Sequence, residues 1–394
     1  MPDPAALNTA IDAAADDLRA LSLSIHEQPE LAFEERHAHA TLTAFLEERG
    51  FAVERGAFGL ETAFRATYGE SAPQIAILCE YDALKNIGHA CGHNLIAASG
   101  VATALALQGA LEPDSGTIVV LGSPAEEGGG GKILMTEAGA FEDIDAAMML
   151  HPTGGRPEAA GVVLTNWQAQ ATANFTLQYS GRAAHAAAGP WAGRNALDAV
   201  IQAFVNVSML RQQIRPTARI HGIITEGGEA TNVIPRRAVA RFGVREATIA
   251  ELERLLPRVR ACFEAAAAAT GCELELTQGV RGYSELRTNQ AMAARYASHA
   301  EDAGLHAVTT RMDTGGSTDM GNVSLVVPSI HPMFGIASEA GNHNEGFTAA
   351  AATPEAHVQM LDAARALAHT AYELFTDPAL LATVREEFEQ AQAG

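Results

Sequence analysis

The chain predicts an α/β fold, a mostly parallel and helix-covered sheet that carries the chemistry, interrupted by an inserted ferredoxin-like α+β domain. Two observations support this. Three near-continuous apolar runs of strand length, at 74–80, 117–122 and 145–151, are separated by helical stretches, the pattern of strands buried on both faces. From about residue 169 the runs instead alternate apolar with polar residues, as strands with one wet face do, and with their helices they follow the order β-α-β-β-α-β.

Taken in order, residues 5–48 place Ile11, Leu18 and Leu21, then Ala38, Leu42, Phe45 and Leu46 at helical spacing, and Pro29 divides them into two helices. Helices over 94–110 and 131–139 connect the three buried strands. The insert reads as a strand at 171–180, a helix at 194–214, strands at 218–224 and 236–245, an alanine-rich helix at 247–269 and a strand at 271–279. A helix over 289–304, an apolar strand over 322–330 and a closing helix over 353–375, with Pro354 at its start, return to the first style. The expected domains are therefore a discontinuous catalytic one over 1–168 and 283–394 and an insert over 169–282.

The balance of 26 basic against 47 acidic residues, a formal charge of −21, argues against nucleic acid as a partner, because phosphate binding draws on clustered Lys and Arg. The acidic, amphipathic first twenty residues lack the basic start and apolar stretch of a signal peptide, and no apolar run reaches the roughly 20 residues of a membrane span. With four cysteines, too few for a disulfide scaffold, a reducing cytoplasm is the expected location.

Chemistry concentrates where apolar runs end. His89, Cys91 and His93 follow the strand at 74–80 within five residues, and Gly92 lets the backbone come close to an ion. Glu126 and Glu127 follow the strand at 117–122 and precede four glycines. Adjacent carboxylates on a loop point apart, so one can hold a metal while the other takes a proton from water; Glu127 is assigned to the metal and Glu126 to the base. His151, ending the third run before Pro152, reads equally as ligand or core histidine, and His343, in a glycine-flanked turn, equally as ligand or surface residue. Asp319 is a further ligand candidate, Asp82 an outer partner that fixes a ligand histidine, and His331 structural. A cysteine nucleophile is the competing use of Cys91, but it has no need of His and Glu groups arriving from other strands. In the insert, His185 lies in a run of buried character, 180–199, and Asn232 on a glycine-rich loop, where a core histidine and a capped loop are the bland readings.

The runs CEYDAL (79–84), GHACGHNLIA (88–97), PAEEGGGGKI (124–133), MMLHP (148–152), GRAAHAAAGPWAGRNALDA (181–199), HGIITEGG with NVIP (221–235), GGSTDMGNVS (315–324) and HNEGF (343–347) resemble, in order, those of the M20 family of metallopeptidases and amidohydrolases. The similarity is greatest to its aminoacylase and aminobenzoyl-glutamate hydrolase branch, subfamily D, and within it to a subgroup that splits β-alanyl and γ-aminobutyryl dipeptides of basic amino acids. The resemblance implies two divalent ions per subunit, Zn or Mn, held by Cys91, His93, Glu127, His151 and His343, with Cys91 in place of a bridging aspartate. It implies Glu126 as general base and acid, the insert as lid and dimerisation domain, and a homodimer or higher oligomer. It further implies His185 of a partner's lid at the oxyanion and Asn232 at the substrate's terminal carboxylate. Two departures stand out. Lys85 replaces the proline usual after DAL and is a candidate substrate contact, and Asn94 and Ile96 replace an aspartate and a histidine after CGH. The expected reaction is hydrolysis of the amide bond of a dipeptide or N-acyl amino acid. Aryl-amide hydrolysis or arylamine deamination at the same centre, and a non-enzymatic metal-binding or scaffolding protein, are the alternatives.

Overall fold

A computed structural model describes residues 4–112, 114–279, 282–313 and 316–393. The chain divides into two units, Met1–Gln168 with Leu286–Thr314 and Asp319–Gly394, and Ala169–Glu285 with Gly315–Thr318.

The first unit is built on a six-stranded sheet, in spatial order Ala52–Arg55, Phe64–Tyr68, Thr117–Ser123, Gln74–Glu80, Ala146–Met148 and Ser329–Ile330. Gln74–Glu80 runs parallel to both its neighbours, Ser329–Ile330 runs parallel to Ala146–Met148, and the edge formed by the first two strands is antiparallel. Gln74–Glu80 and Thr117–Ser123 are buried almost throughout, which is why their sequences carry no polar alternation. The helix His93–Ala110 is apolar on all sides and buried nearly end to end, and Pro4–Glu27 and Pro354–Thr376 pack against it. Thr353 caps the latter by accepting from the Ala356 N–H, and Pro354 fills the first helical position.

Two expectations need correction. The run 322–330 is not one strand: Met320–Ser324 is a short helix, and only Ser329–Ile330 pairs in the sheet. The run 145–151 also divides, with Ala146–Met148 in the large sheet and His151–Thr153 at the edge of a second sheet, ordered His306–Val308, Val162–Leu164, Met333–Gly335 and His151–Thr153. His151 therefore opens a strand instead of ending one. The helix Pro378–Ala393, the edge strand Ala52–Arg55 and its neighbour Phe64–Tyr68 were not anticipated.

The second unit has a separate apolar core, including Phe175, Leu177, Tyr179, Val200, Phe242, Val259 and Phe263. Its sheet has the order Arg219–Glu226, Arg237–Glu246, Ala171–Ser180 and Glu273–Gln278, antiparallel throughout. The helices Ala196–Leu210 and Ile249–Thr270 pack on it, capped by Asn195 and Thr248. No helix among the described residues is long and apolar enough to cross a membrane.

Candidate metal centre

The loops leaving the carboxyl ends of the adjacent parallel strands Gln74–Glu80 and Thr117–Ser123 deliver Cys91, His93, Glu126 and Glu127 to one place. Gly92 makes the first delivery possible. It sits at φ +76° just ahead of the helix His93–Ala110, and a Cβ there would stand 2.5 Å from Pro152 Cγ. His343, also at positive φ (65°), is held by a 2.7 Å hydrogen bond from its backbone N–H to the Ala90 carbonyl.

Three overlapping groups of donor atoms result, each within 4.8 Å: Cys91, His93 and His151; Cys91, Glu127 and His343; His93, Glu126 and Glu127. Cys91 Sγ lies 3.5 Å from His151 Nε2, and Glu127 Oε1 lies 3.2 Å from His343 Nε2 and 3.9 Å from His93 Nε2. Outer partners fix the rings. Asp82 Oδ1 is 3.0 Å from His93 Nδ1, and its other oxygen accepts from the Glu127 N–H at 2.9 Å. The Pro152 carbonyl is 2.7 Å from His151 Nδ1. In each histidine a neutral ring with its proton on Nδ1 would satisfy that contact and leave Nε2 a lone pair, the arrangement of a metal ligand.

The electrostatics are those of a crowded, strongly interacting set of groups. Burial pushes the Cys91 thiol up, but His151, then His343 and His93, draw it well below its usual range. Burial would lower His93, yet Asp82 raises it well above an ordinary imidazole, and the contacts with Cys91 and Glu127 push His343 up to about 10. Glu126 is held well above the carboxylate range by burial first, then by the charges of Glu80, Asp319 and Glu127. His93 Nε2 and Glu127 Oε1 are both buried and without a hydrogen-bond partner. A soft sulfur, three imidazoles and carboxylates around unpartnered lone pairs fit divalent cations, and the overlap of the three groups fits two of them.

The other expected residues are not members of these groups. Lys132 bonds both oxygens of Asp319, Nζ at 2.7 Å and the backbone N–H at 2.9 Å, and Gly315, at the head of that run, lies outside the described residues. His89 faces the Ile25 carbonyl at 3.1 Å, and His331 faces that of Met149 at 3.2 Å. Asn94 donates to Ser22 and to the Ala351 carbonyl within the core. Lys85 is exposed in the turn between Leu84 and Gly88. In the second unit, His185 pairs with Val233 as an isolated bridge, and the Ala186 N–H donates to the Asn232 carbonyl at 3.0 Å, so the two loops are joined. Sequence reasoning missed three residues. Asn342 donates to the Pro152 carbonyl at 3.1 Å and lies 3.7 Å from Cys91 Sγ, while Glu80 and Lys132 form a wholly buried ion pair beside His93. A charged residue ending so apolar a strand was the available signal for Glu80.

The family model for "Peptidase family M20/M25/M40" matches residues 78–387. The chain belongs to this family. It is a metal-dependent hydrolase of carbon–nitrogen bonds, with the family's architecture of catalytic domain and lid. This M20 chain is 45% identical to a mouse Xaa-Arg dipeptidase, over 96% of its own length and 90% of the relative's, and 43% identical to the human one over the same shares. It is 30% identical to a p-aminobenzoyl-glutamate hydrolase subunit of Escherichia coli K12, over 98% of its length and 94% of the relative's. Among solved structures, its fold matches an aminobenzoyl-glutamate utilization protein from Klebsiella pneumoniae (TM-score 0.71, 22% identity, 93% of this chain and 98% of that one). It also matches a dinuclear metal binding M20 peptidase from Bacillus subtilis (TM-score 0.69, 20% identity, 93% and 99%).

Proposed function

We propose that this hydrolase belongs to subfamily D, the aminoacylase and aminobenzoyl-glutamate hydrolase branch, and cleaves dipeptides or N-acyl amino acids whose leaving amino acid keeps a free carboxylate, basic dipeptides foremost. The observation that carries the reading is the 45% identity to an Xaa-Arg dipeptidase across 96% of the chain. The likeness to a p-aminobenzoyl-glutamate hydrolase subunit keeps aryl amides as the second reading.

Cys91, His93, Glu127, His151 and His343 would hold two divalent ions, Zn or Mn, which when bound supply Lewis acidity to the water and to the amide carbonyl. Glu126, whose proton affinity is raised by burial, takes the proton of the attacking water and returns it to the leaving amine. His185 stabilises the oxyanion. Its Nδ1 accepts from the N–H groups of Ala187 and Ala188 at 3.2 and 3.1 Å, so the neutral ring carries its proton on Nε2 and can donate from there. Asn232, joined to the His185 loop, binds the substrate carboxylate, and Lys85 tunes the choice of side chain.

We read residues 1–168 and 283–394 as the catalytic domain of a cytoplasmic homodimer and 169–282 as its ferredoxin-like lid, a reading supported by the lid's strand order and separate core. The test is a turnover screen of protein stripped by a chelator and reloaded with Zn or Mn. Basic dipeptides, other dipeptides, N-acyl and N-aminobenzoyl amino acids are offered, and products are read by mass spectrometry. Release of the basic amino acid only after reloading is the expected result. Undiminished turnover after verified demetallation, or cleavage of the aminobenzoyl substrates alone, would overturn it.

A further inference from the structure

We propose that Glu80, held in place by Lys132, acts on the His93 side of the metal centre, supplying negative charge that tightens one of the two cations. The inference rests on the two-cation reading of the site. Glu80 is the last residue of the strand Gln74–Glu80, and its side chain is wholly buried. One oxygen, Oε2, accepts from the Lys132 ammonium. The other, Oε1, has no hydrogen-bond partner and lies 3.7 Å from His93 Nε2, beyond hydrogen-bonding range. With His93 Nδ1 turned to Asp82, Nε2 is the nitrogen left to face a cation.

The same Nε2 lies 3.9 Å from Glu127 Oε1, which is also buried and pairs with His343 at 3.2 Å. Two carboxylate oxygens thus stand close to one imidazole nitrogen, a crowding of acceptors that a bound cation would relieve. Glu127 and His93 are already assigned as ligands. Glu80 is the additional carboxylate, 3.7 Å from the ligand atom of His93.

Lys132 accounts for the orientation. Its ammonium is fully buried, bonds Glu80 and Asp319, and by occupying Glu80 Oε2 leaves Oε1 turned toward His93. Asp319 provides the internal comparison. It is an equally buried partner of the same ammonium, but both its oxygens are taken by Lys132, so it has none to turn toward the site. Glu80 and Asp319 are therefore alike as struts and different as neighbours of the cation.

The experiment measures metal affinity. Stripped protein is titrated with Zn(II) against a chromophoric chelator, and with Co(II) while the thiolate charge-transfer band of Cys91 is followed. The parent should bind two ions. Glu80→Gln, which keeps an acceptor for Lys132, should weaken one ion by about 10- to 100-fold, the effect usual for partners just outside a ligand shell, and leave the other unchanged. Asp319→Asn should bind both as the parent does. Glu80→Asp keeps the charge and should recover most of the lost affinity, and it serves as the second variant should Glu80→Gln fold poorly. Equal weakening in Glu80→Gln and Asp319→Asn would reduce Glu80 to a strut, and parental affinity in Glu80→Gln would also overturn the proposal. A parent that binds a single ion would instead overturn the two-cation reading, and the inference with it.

Discussion

Glu126 and Glu127 are neighbours in sequence with different surroundings, and a conservative change in each should separate their roles. Glu127 Oε1 points at His343 and His93, whereas Glu126 is buried among the like charges of Glu80, Asp319 and Glu127. Glu126→Gln should keep two ions per chain while kcat falls by about 10² to 10⁴, the usual worth of a general acid and base. Glu127→Gln should lose metal. Metal analysis beside single-turnover kinetics checks both, and the reverse pattern would exchange the assignments. Lys85 concerns selectivity: an ammonium near the substrate disfavours cationic side chains, so Lys85→Pro should raise kcat/KM for basic relative to acidic leaving amino acids. An unchanged ranking would make Lys85 a surface residue. The residues that converge were legible because each follows or closes an apolar run or a glycine turn with a ligand type, as Cys91, Glu127 and His343 do. The pair Glu80 and Lys132 was not. Each alone looks like a solvated end of its element, and the burial of one depends on the other across 52 residues of chain.

Strands and helices were legible where their period was long or their burial two-sided, as in Gln74–Glu80, Ala171–Ser180 and Ile249–Thr270. The run from Met320 to Ile330 was not, because a short apolar stretch with Val323, Leu325, Val326 and Val327 has the same composition in a buried helix as in a buried strand. The strands Ala52–Arg55 and Phe64–Tyr68 escaped notice for the opposite reason, since four or five residues with arginines and a glutamate among them give too little pattern to count. Where an element begins can matter more than what it is. The helix His93–Ala110 starts at a glycine in the left-handed region, packed against Pro152 and between two expected ligands. Gly92→Ala should lose about 1–2 kcal/mol through the backbone alone, and the Cβ placed 2.5 Å from Pro152 Cγ adds overpacking on top. Chemical denaturation should therefore show lower stability, and metal analysis a reduced content, because Cys91 and His93 flank the shifted residue. Parental values in both would mean that the turn adapts without cost.

For the whole molecule, the lid's own surface argues for a second copy of the chain. Arg219–Glu226 is the edge strand of its sheet, with a row of backbone groups that no neighbouring strand covers. Ile223 and Ile224 on that strand are exposed, and so are Ile201, Val205 and Met209, which recur every fourth residue along the helix Ala196–Leu210. Two such strands pairing antiparallel about a two-fold axis would cover both edges and bring these apolar side chains together. The consequence for catalysis follows from the roles proposed for Glu126 and His185. If each active site takes its base from one subunit and its oxyanion donor from the partner, then Glu126→Gln and His185→Ala homodimers are both nearly inactive, yet a mixed dimer contains one site in which both groups are intact. Mixing the two variants under subunit exchange should therefore restore up to about a quarter of parental activity, since half the dimers are mixed at random and each has one of two sites complete. His185 acting within its own chain would put both lesions in separate sites of the mixed dimer, one defect in each, and activity would stay at the level of the two variants alone.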